Sequence, residues 1–373
     1  MIVRPIAHKD LDTLYEIAIE SGPGFTSLMP DRDALARKIE HSISSFDQSV
    51  SQPGNEHYLF VLENESSGEI MGTTGIEASV GRARPLYHFR RNTVTHHSRD
   101  LGLRRSVETL TRCSHYAGCT EVCSLYLRPK FRQGNAGKLL SRVRFLFMAI
   151  HPERFSDTVI AEMRGVSDAS GQSPFWNWIK AHFVDMEFAS ATSLVGSGYT
   201  DFIDELMPSH PLYTCLMSAE AREVISQVHD HTRPALRMLE TEGFTHKGLI
   251  DLFDAGPTVE CPLTSIRSAR DSRIWKVETE AERSQSAKFT RLHQERIDTP
   301  VLIANTQTTG FRATVTTEAH VRPRTETLIL SRALATGLGL DTGATCRVLP
   351  LVGRNQNAPA STEQTYPEVH YAH

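Results

Sequence analysis

The stretch Leu127-Arg-Pro-Lys-Phe-Arg-Gln-Gly-Asn-Ala-Gly-Lys-Leu-Leu140 decides the fold, because it joins a strand to a helix through a short basic turn. Residues 120–127 are rich in β-branched and aromatic side chains, which predicts a strand. Pro129 ends that strand, since proline cannot donate to a ladder. The apolar side chains that follow recur at helical spacing: they are Ala136, Leu139, Leu140, Val143, Phe147 and Ile150.

The turn itself combines two glycines with the cations Arg132 and Lys138. Small residues let the backbone approach a phosphate, and the free N–H groups at a helix start carry partial positive charge. The turn therefore predicts an anion site. An ordinary strand-to-helix turn is the alternative that these residues alone leave open.

A second motif lies at Arg233-Pro-Ala-Leu-Arg-Met-Leu-Glu-Thr-Glu-Gly-Phe244. Thr232 suits the N-cap of a helix, Pro234 its first turn and Gly243 the position just after its end. The two motifs, in this order, resemble the Gcn5-related N-acetyltransferase superfamily of acyl-CoA N-acyltransferases. The resemblance implies an α+β fold, with a mixed sheet flanked by helices.

The remaining predicted elements follow the order of that superfamily. They are strands at 1–5, 58–62, 69–78, 158–163 and 244–253, helices at 8–20 and from Asp31 onward, and a β-rich region over 86–112. We expect an acyl-CoA N-acyltransferase domain over 1–264, interrupted by a helical insertion at about 165–228. A small β-rich C-terminal domain is predicted over 265–352, and 353–373 is predicted to be a disordered tail.

The insertion contains an aromatic cluster of Phe175, Trp176 and Trp178. Inserted helices can cover a substrate pocket or simply add packing. For the aromatic cluster itself, core packing is the favoured interpretation.

Composition bounds the function of the 373-residue chain. Its net charge of −4 and pI near 6.5 argue against a general nucleic-acid binder. No apolar run is long enough to cross a bilayer, and the first residues lack the apolar segment of a signal peptide. We therefore expect a cytoplasmic protein that binds neither nucleic acid nor membrane.

The cysteine pattern predicts no metal centre. Cys113, His115, Cys119 and Cys123 are close in sequence, but their spacing matches no standard zinc pattern. Cys123 also lies in the predicted strand, where a free cysteine commonly behaves as a small apolar residue. Disulfides are not expected in a reducing compartment.

The chain as a whole, to about residue 350, is similar to the arginine N-succinyltransferase family. Matching stretches are Gly24-Phe-Thr-Ser-Leu28, Arg144-Phe-Leu-Phe-Met-Ala149, Ala161-Glu-Met-Arg-Gly-Val166, Ser173-Pro-Phe-Trp176, Glu205-Leu-Met-Pro208, Gln227-Val-His229 and Asp251-Leu-Phe-Asp-Ala-Gly-Pro257. The similarity implies transfer of a succinyl group from succinyl-CoA to the α-amino group of L-arginine. It also implies that the strand at Leu125 holds the acyl-CoA and that His229 is the catalytic proton donor.

The chemistry of such a transfer suits a histidine. A thioester is already activated, so the protein must align the amine, deprotonate it and stabilise an oxyanion. Many superfamily members carry a tyrosine acid on the late helix. The matching position here is Leu239, which cannot carry a proton, whereas His229 just before the helix can. Packing or capping at the loop is the alternative role for His229.

The resemblance also assigns the acyl-CoA contacts. The expected contacts are Leu125, Leu127, Arg132, Gln133, Gly134, Ala136, Gly137 and Lys138. The chain departs from the common Arg-x-x-Gly-x-Gly pattern, because Asn135 replaces the first glycine and Gly134 precedes it. The departure puts the affinity for CoA in question, although asparagine tolerates unusual backbone angles.

Specificity for arginine requires acids for its guanidinium and bases for two carboxylates. The candidate acids are Glu162, Asp251 and Asp254, and the candidate bases are Arg90, Arg91 and Arg164. Glu162 and Arg164 are two apart on a predicted strand, which favours one common face. Each of the six residues is also compatible with a surface charge or an internal ion pair.

We therefore predict a succinyl-CoA-dependent arginine N-succinyltransferase, with succinyl-CoA as substrate and no tightly bound cofactor. One alternative changes the amine to ornithine, or accepts both amino acids. Another, prompted by Asn135, is a non-catalytic partner subunit of a paired acyltransferase. A homo-oligomer, or a hetero-oligomer with a paralogous subunit, is compatible with the sequence.

Overall fold

A computed structural model describes residues 1–22, 25–82, 84–168, 171–280 and 295–351. Up to residue 162 the elements are β1 (Ile2–Pro5), α1 (Leu11–Ser21), α2 (Arg32–Asp47), β2 (His57–Glu63), β3 (Ile70–Glu77), β4 (His88–Ser98), β5 (Leu103–Cys113), β6 (Thr120–Leu127), α3 (Ala136–Ile150) and β7 (Thr158–Glu162). These confirm the elements predicted from the sequence, with small shifts at their ends. Among the described residues, no helix has the length and apolar character that a membrane crossing needs.

The second part of the chain adds shorter elements. They are α4 (Pro174–Ile179), α5 (Phe188–Gly196), α6 (Asp201–Leu206), β8 (Leu212–Tyr213), α7 (Ala219–Glu223), α8 (Arg233–Glu242), β9 (Thr245–Asp251), β10 (Pro257–Pro262), α9 (Arg267–Asp271), β11 (Arg273–Thr279), β12 (Glu295–Arg296), β13 (Val301–Asn305), β14 (Ala313–Thr316), β15 (Ala319–Arg322), β16 (Thr327–Leu330), α10 (Arg332–Gly337) and β17 (Thr345–Pro350). A π-helical turn at Lys180–Val184 follows α4.

The strands form a mixed sheet, which confirms the α+β class. From the first strand outward the order is β1-β2-β3-β6-β7-β10-β9-β4-β5-β8. These pairings are antiparallel except β6 with β7, whose parallel pairing follows from the crossover through α3. α3 therefore lies against one face, where Phe147 packs among Tyr58, Phe60 and Phe311.

The ends of the two predicted helices behave differently. The Asp31 side chain accepts a hydrogen bond from the Ala34 amide and caps α2, as predicted. Thr232 stands at the N-cap of α8 but makes no side-chain cap bond. Gly243 ends α8 in the left-handed conformation (φ 104°), which explains the need for glycine at that position.

The helices of the predicted insertion pack on β4 and β9. Trp176 and Phe175 are fully buried with Phe89 and Ile250, which supports the packing interpretation of the aromatic cluster. Burial of such large rings holds the short helices α4 to α7 in place, since helices of this length are not stable alone.

The C-terminal strands are joined to the first part of the sheet. Val3 of β1 pairs with Ala313 of β14, and Leu302 and Phe311 lie in the same core as Phe147. The domain boundaries at 264 and 352 stay a prediction. The predicted disorder of 353–373 falls outside the described residues.

Candidate functional site

The sheet opens between β6 and β7. Within the described residues, their parallel pairing covers Thr120 with Val159 and Glu121 with Ile160 and goes no further. Ser124 takes a left-handed conformation (φ 51°), at the point where the register between β6 and β3 shifts. A bulge bends a strand locally, so the end of β6 is left as an edge beside β7.

Backbone groups line this edge. The amide of Arg128 donates to the carbonyl of Met71 on β3 at 3.0 Å, so Arg128 faces β3. Successive residues of a strand direct their amide and carbonyl groups to opposite sides. Leu127 and Leu125 therefore face the opening, and the Leu127 carbonyl accepts a hydrogen bond from Nε of Arg132 (2.9 Å).

The turn that follows is open above its two glycines. Gly134 is left-handed (φ 62°), and a Cβ there would meet no atom within 4 Å. At Gly137 an added Cβ would meet only Cδ2 of Leu127, at 3.9 Å. Gln133 and Gly134 are exposed and Ala136 is buried under the turn. The protein's own side chains therefore leave room over the turn for a ligand.

The N-terminus of α3 is uncapped. Asn135 occupies the N-cap position without a side-chain cap bond, and the first turn carries no acidic residue. The first amides of the helix thus keep their capacity to bind an anion. Lys138 is exposed beside them, without an ion pair in the described part of the chain, whereas Lys130 pairs with Glu69.

His229 is fixed by its backbone at the end of β7. Its amide donates to the carbonyl of Arg164 (2.9 Å), next to a bridge between Gly165 and Val228. Its Nδ1 accepts a hydrogen bond from the amide of His231 (3.2 Å). An accepting Nδ1 assigns the proton of the neutral ring to Nε2.

The surroundings of His229 favour the neutral imidazole. Burial, followed by the charges of Arg164 and His231, lowers the pKa of His229, and Asp230 opposes this only weakly. Leu239 is 4% exposed and packs in the core beneath α8. The helix position that carries a tyrosine acid in many superfamily members is thus a core position in this chain.

Carboxylates gather on the sheet face away from α3. Burial and the Asp251 carboxylate raise the pKa of Glu162 to about 8. Burial, then Glu162 and Glu77, raise the pKa of Glu121 well above its usual range. The sequence analysis did not single out Glu121, because this residue of the 120–127 strand is unusual only once the strand order places β6 between Glu77 and Glu162.

The carboxylates of Asp251 and Asp254 also accept hydrogen bonds from backbone amides. The Asp254 carboxylate accepts from the amides of Gly165 (2.7 Å) and Gly256 (2.8 Å). Asp251 accepts from the amides of Phe253 and Asp254. Asp254 therefore holds the turn after β7 in place, and Glu162 keeps more of its hydrogen-bonding capacity.

The three candidate arginines differ in their positions and in their partners. Arg91 binds Glu108 (2.7 Å) and Ser226 (3.0 Å). Arg90, on the other face of β4, makes no ion pair within the described residues. Arg164 lies beyond the end of β7, so strand alternation does not place it beside Glu162; its guanidinium donates to Ser167 (2.9 Å).

A cavity of about 560 Å³ lies within the predicted insertion and is lined by residues between Val166 and Glu220. Its lining residues include Val166, Ser167, Trp178, His182 and Glu220. None of the predicted acyl-CoA contacts lines it. Trp178 stacks on His182 there, with ring centroids 4.6 Å apart.

His57, Glu77 and Cys123 bring potential metal-binding atoms within 4.8 Å of one another. This set differs from the Cys113–Cys123 pattern of the sequence. Lys38 Nζ lies 3.6 Å from the Glu77 carboxylate and competes with a metal cation there. Burial raises the pKa of the Cys123 thiol to about 12, which disfavours the thiolate that zinc prefers.

Comparisons with known proteins agree over nearly the whole chain. The family model described as arginine N-succinyltransferase beta subunit matches residues 1–268, and the model of its C-terminal domain matches 290–350. A relative from Yersinia pseudotuberculosis named arginine N-succinyltransferase is 40% identical over 94% of this chain and 98% of its own. One from Escherichia coli with the same name is 38% identical over 96% and 100%.

A solved structure is also similar. The arginine/ornithine succinyltransferase subunit AI from Pseudomonas aeruginosa superposes with a TM-score of 0.83 at 35% identity. The match covers 94% of this chain and 99% of that one.

Proposed function

This chain belongs to the arginine N-succinyltransferase family and is an acyltransferase, and from this premise we propose that it transfers a succinyl group from succinyl-CoA to the α-amino group of L-arginine. The opening between β6 and β7, which ends at the uncapped turn before α3, carries the proposal. An extended thiol arm can add to the free edge of β6 while its diphosphate meets the amides of the turn.

The acyl-CoA contacts follow from this placement. Backbone groups of Leu125 and Leu127 pair with the pantetheine arm, and the turn with its cations meets the diphosphate. The turn residues in this role are Arg132, Gln133, Gly134, Ala136, Gly137 and Lys138. Nε of Arg132 donates to the Leu127 carbonyl, so the terminal N–H groups of the same guanidinium can meet a phosphate oxygen without breaking that bond.

The reaction is a direct transfer. The α-amino nitrogen attacks the thioester carbonyl carbon, and the amide facing the opening at Leu125 stabilises the oxyanion. Neutral His229 accepts at Nε2 the proton that the nitrogen loses, after its ring proton moves from Nε2 to Nδ1 and the hydrogen bond from the His231 amide is released. The C–S bond then breaks, and the imidazolium returns that proton to the thiolate of CoA. The lowered pKa of His229 suits both steps, because the ring starts neutral and becomes a stronger acid once protonated.

Charged groups of the sheet face and its rim bind the substrates' charges. Glu162 and Asp251 are the better-placed acids for the guanidinium, since Asp254 is engaged with two backbone amides. Among the bases, Arg90 and Arg164 suit the carboxylates of arginine and the succinyl group. Arg91 is engaged with Glu108.

We extend the proposal to the setting of the enzyme. The reaction takes place in the cytoplasm and needs no tightly bound cofactor, because the thioester supplies the activation. An oligomer, homomeric or with a paralogous subunit, is supported by the word subunit in the names of the matching family model and of the solved relative.

A thiol-release assay tests the proposal. Succinyl-CoA or acetyl-CoA is paired with arginine, ornithine and lysine, and the highest kcat/KM is expected for succinyl-CoA with arginine. Equal or faster turnover of ornithine would move the amine preference to that alternative. Calorimetry that detects no CoA binding at millimolar ligand would favour a non-catalytic partner subunit.

A His229→Ala variant tests the acid–base role. We expect kcat to fall about 10²- to 10⁴-fold, with the CoA dissociation constant near that of the parent. The matched control is His231→Ala, which removes a neighbouring imidazole but leaves the backbone amide that binds Nδ1 of His229. An unchanged kcat in His229→Ala would remove this residue from the chemistry.

A further inference from the structure

Three carboxylates lie in a row across adjacent strands. Glu77 of β3 is the register partner of Glu121 of β6, and Glu121 pairs beside Ile160 of β7, two residues before Glu162. Their chain neighbours Ile76, Val122 and Ala161 belong to the core on the α3 side. Because side chains alternate between faces, all three carboxylates share the opposite face.

The first acid of the row has two basic neighbours, of which Lys38 is the cation, because burial lowers the pKa of the other, His57. Nδ1 of His57 lies 2.6 Å from the Glu77 carboxylate, and Nζ of Lys38 lies 3.6 Å from it. Burial of Glu77 is outweighed by these neighbours, which lower its pKa to about 2. Glu77 is therefore an ionised and balanced structural group.

Glu121 has no such balance. In the described part of the chain it makes no hydrogen bond and no ion pair, and its side chain is half-buried. Burial, then the carboxylates of Glu162 and Glu77, raise its pKa, and the charge of Lys38 opposes this rise without cancelling it. Two adjacent acids, Glu121 and Glu162, thus share one face with a deficit of positive charge.

A buried histidine points independently to a missing partner. His88 is 0% exposed, and neither ring nitrogen has a hydrogen bond. Nε2 of His88 approaches Glu162 to 2.8 Å without the angle of a hydrogen bond. Burial lowers the pKa of His88 to about 4, so this ring does not supply the absent cation.

We propose that Glu121, together with Glu162, binds the guanidinium of the arginine substrate and determines specificity for it. Glu121 and Glu162 are one strand and two residues apart, about 8 Å between their Cα atoms, so a planar guanidinium with five N–H donors can lie between the two long side chains and bridge their carboxylates. A primary ammonium is a compact charge without this fork. The inference rests on the proposed function, since it names the acid that recognises the substrate of that same site.

The position of Glu121 fits the proposed chemistry. The opening between β6 and β7 begins directly after Glu121, and His229 is bound through Arg164 just beyond Glu162. A substrate whose guanidinium lies on Glu121 and Glu162 can therefore direct its α-amino end along β7 toward His229. The acyl group arrives from the edge at Leu125 on the other side of the opening.

A Glu121→Gln variant is the main test. We expect the KM for arginine to rise about 10- to 100-fold, the loss typical of a charged hydrogen bond, with the KM for succinyl-CoA unchanged. Discrimination between arginine and citrulline, whose uncharged urea has the same shape, should fall by at least about tenfold. The matched control Glu318→Gln removes an exposed acid elsewhere and should change neither constant.

The Tm of Glu121→Gln distinguishes a binding role of Glu121 from a structural role, because the two roles change the Tm in opposite directions. Because the pKa of Glu121 is raised on folding, its ionisation favours the unfolded chain once the pH exceeds about 4.3. The penalty grows until the pH reaches the raised value. Glu121→Gln should therefore have a higher Tm than the parent at pH 7.5, whereas loss of a structural contact would lower the Tm.

The outcomes separate the inference from the proposed function. If the parent protein releases no thiol with arginine, the proposed function fails. If the parent is active and Glu121→Gln keeps both the arginine KM and the citrulline discrimination, the inference alone is overturned. Should Glu121→Gln not fold, the structural role is the correct one. Glu162→Gln then measures whether the remaining acid recognises arginine through the same two constants.

Discussion

We predict that Gly137→Ala stabilises the folded protein but weakens its binding of CoA. The substitution therefore distinguishes the demands of folding from those of ligand binding at this position. The position lies in the first turn of α3, where alanine is preferred over glycine by up to about 1 kcal/mol. The new methyl group would lie 3.9 Å from Cδ2 of Leu127, an ordinary contact. Folding alone therefore does not require glycine at this position.

The expected gain in Tm follows from the unfolding entropy. With about 2.1 cal/mol/K per residue over the 268 residues of the first family match, 1 kcal/mol corresponds to a rise of about 1–2 °C. In the complex, the same methyl occupies the space through which a phosphate oxygen approaches the first amides of the helix. We expect the CoA dissociation constant to increase at least about tenfold, or 1.4 kcal/mol.

The assay combines calorimetry with CoA and thermal unfolding of the free protein. A succinyl thioester of pantetheine, which lacks the diphosphate, provides the control: its kcat/KM should be equal in Gly137→Ala and the parent. An unchanged CoA affinity in the variant would refute the placement of the diphosphate. A fall in Tm would show that the space above the turn is not open.

Two further predictions concern charge. Lys138→Ala should weaken CoA binding by about three- to tenfold without lowering kcat at saturation. The control is Lys130→Ala: the ammonium of Lys130 pairs with Glu69, so its loss should leave the CoA affinity near that of the parent. An effect of Lys138→Ala on kcat alone would contradict the proposed role of Lys138. The kcat should fall as the pH decreases below about 6.5, because a protonated His229 cannot accept a proton. The fall begins below that value, since burial, Arg164 and His231 lower the pKa of His229. A kcat that already falls well above pH 6.5 in the parent, or an acid limb that survives in His229→Gln, would contradict this assignment.

The sequence predicted those parts of the fold in which local pattern and tertiary packing agree. The strand before the turn, α3 and the hairpin of β2 and β3 carry clear periodicity and are present. Within the predicted β-rich region over 265–352, the sequence did not locate β11, because its charged residues hide the burial of Val277, which pairs with Leu328 of a strand 51 residues later. A parallel partner so distant leaves no local signal.

The site divides in the same way. His229 and the turn were predicted as site residues from short motifs, since their proposed roles depend on residues adjacent in sequence, and they stay predictions. Glu121 was missed because its meaning depends on register: it becomes unusual only when β6 lies between Glu77 and Glu162. Strand alternation shows which face a residue takes, but the order of strands decides which charges meet there.

Asn135 illustrates how a departure in sequence can be absorbed by the backbone. The turn needs a single left-handed residue, and Gly134 supplies it one position early, with φ 62°. Asn135 then has a negative φ of −103°, which requires no glycine. Its side chain also leaves the first amides of α3 uncapped, although asparagine is a favoured N-cap residue that commonly occupies them. The geometry therefore supports CoA binding by this chain itself. It weakens the reason for a non-catalytic subunit, because the replacement at 135 neither closes the turn nor takes the hydrogen-bond donors that a diphosphate needs.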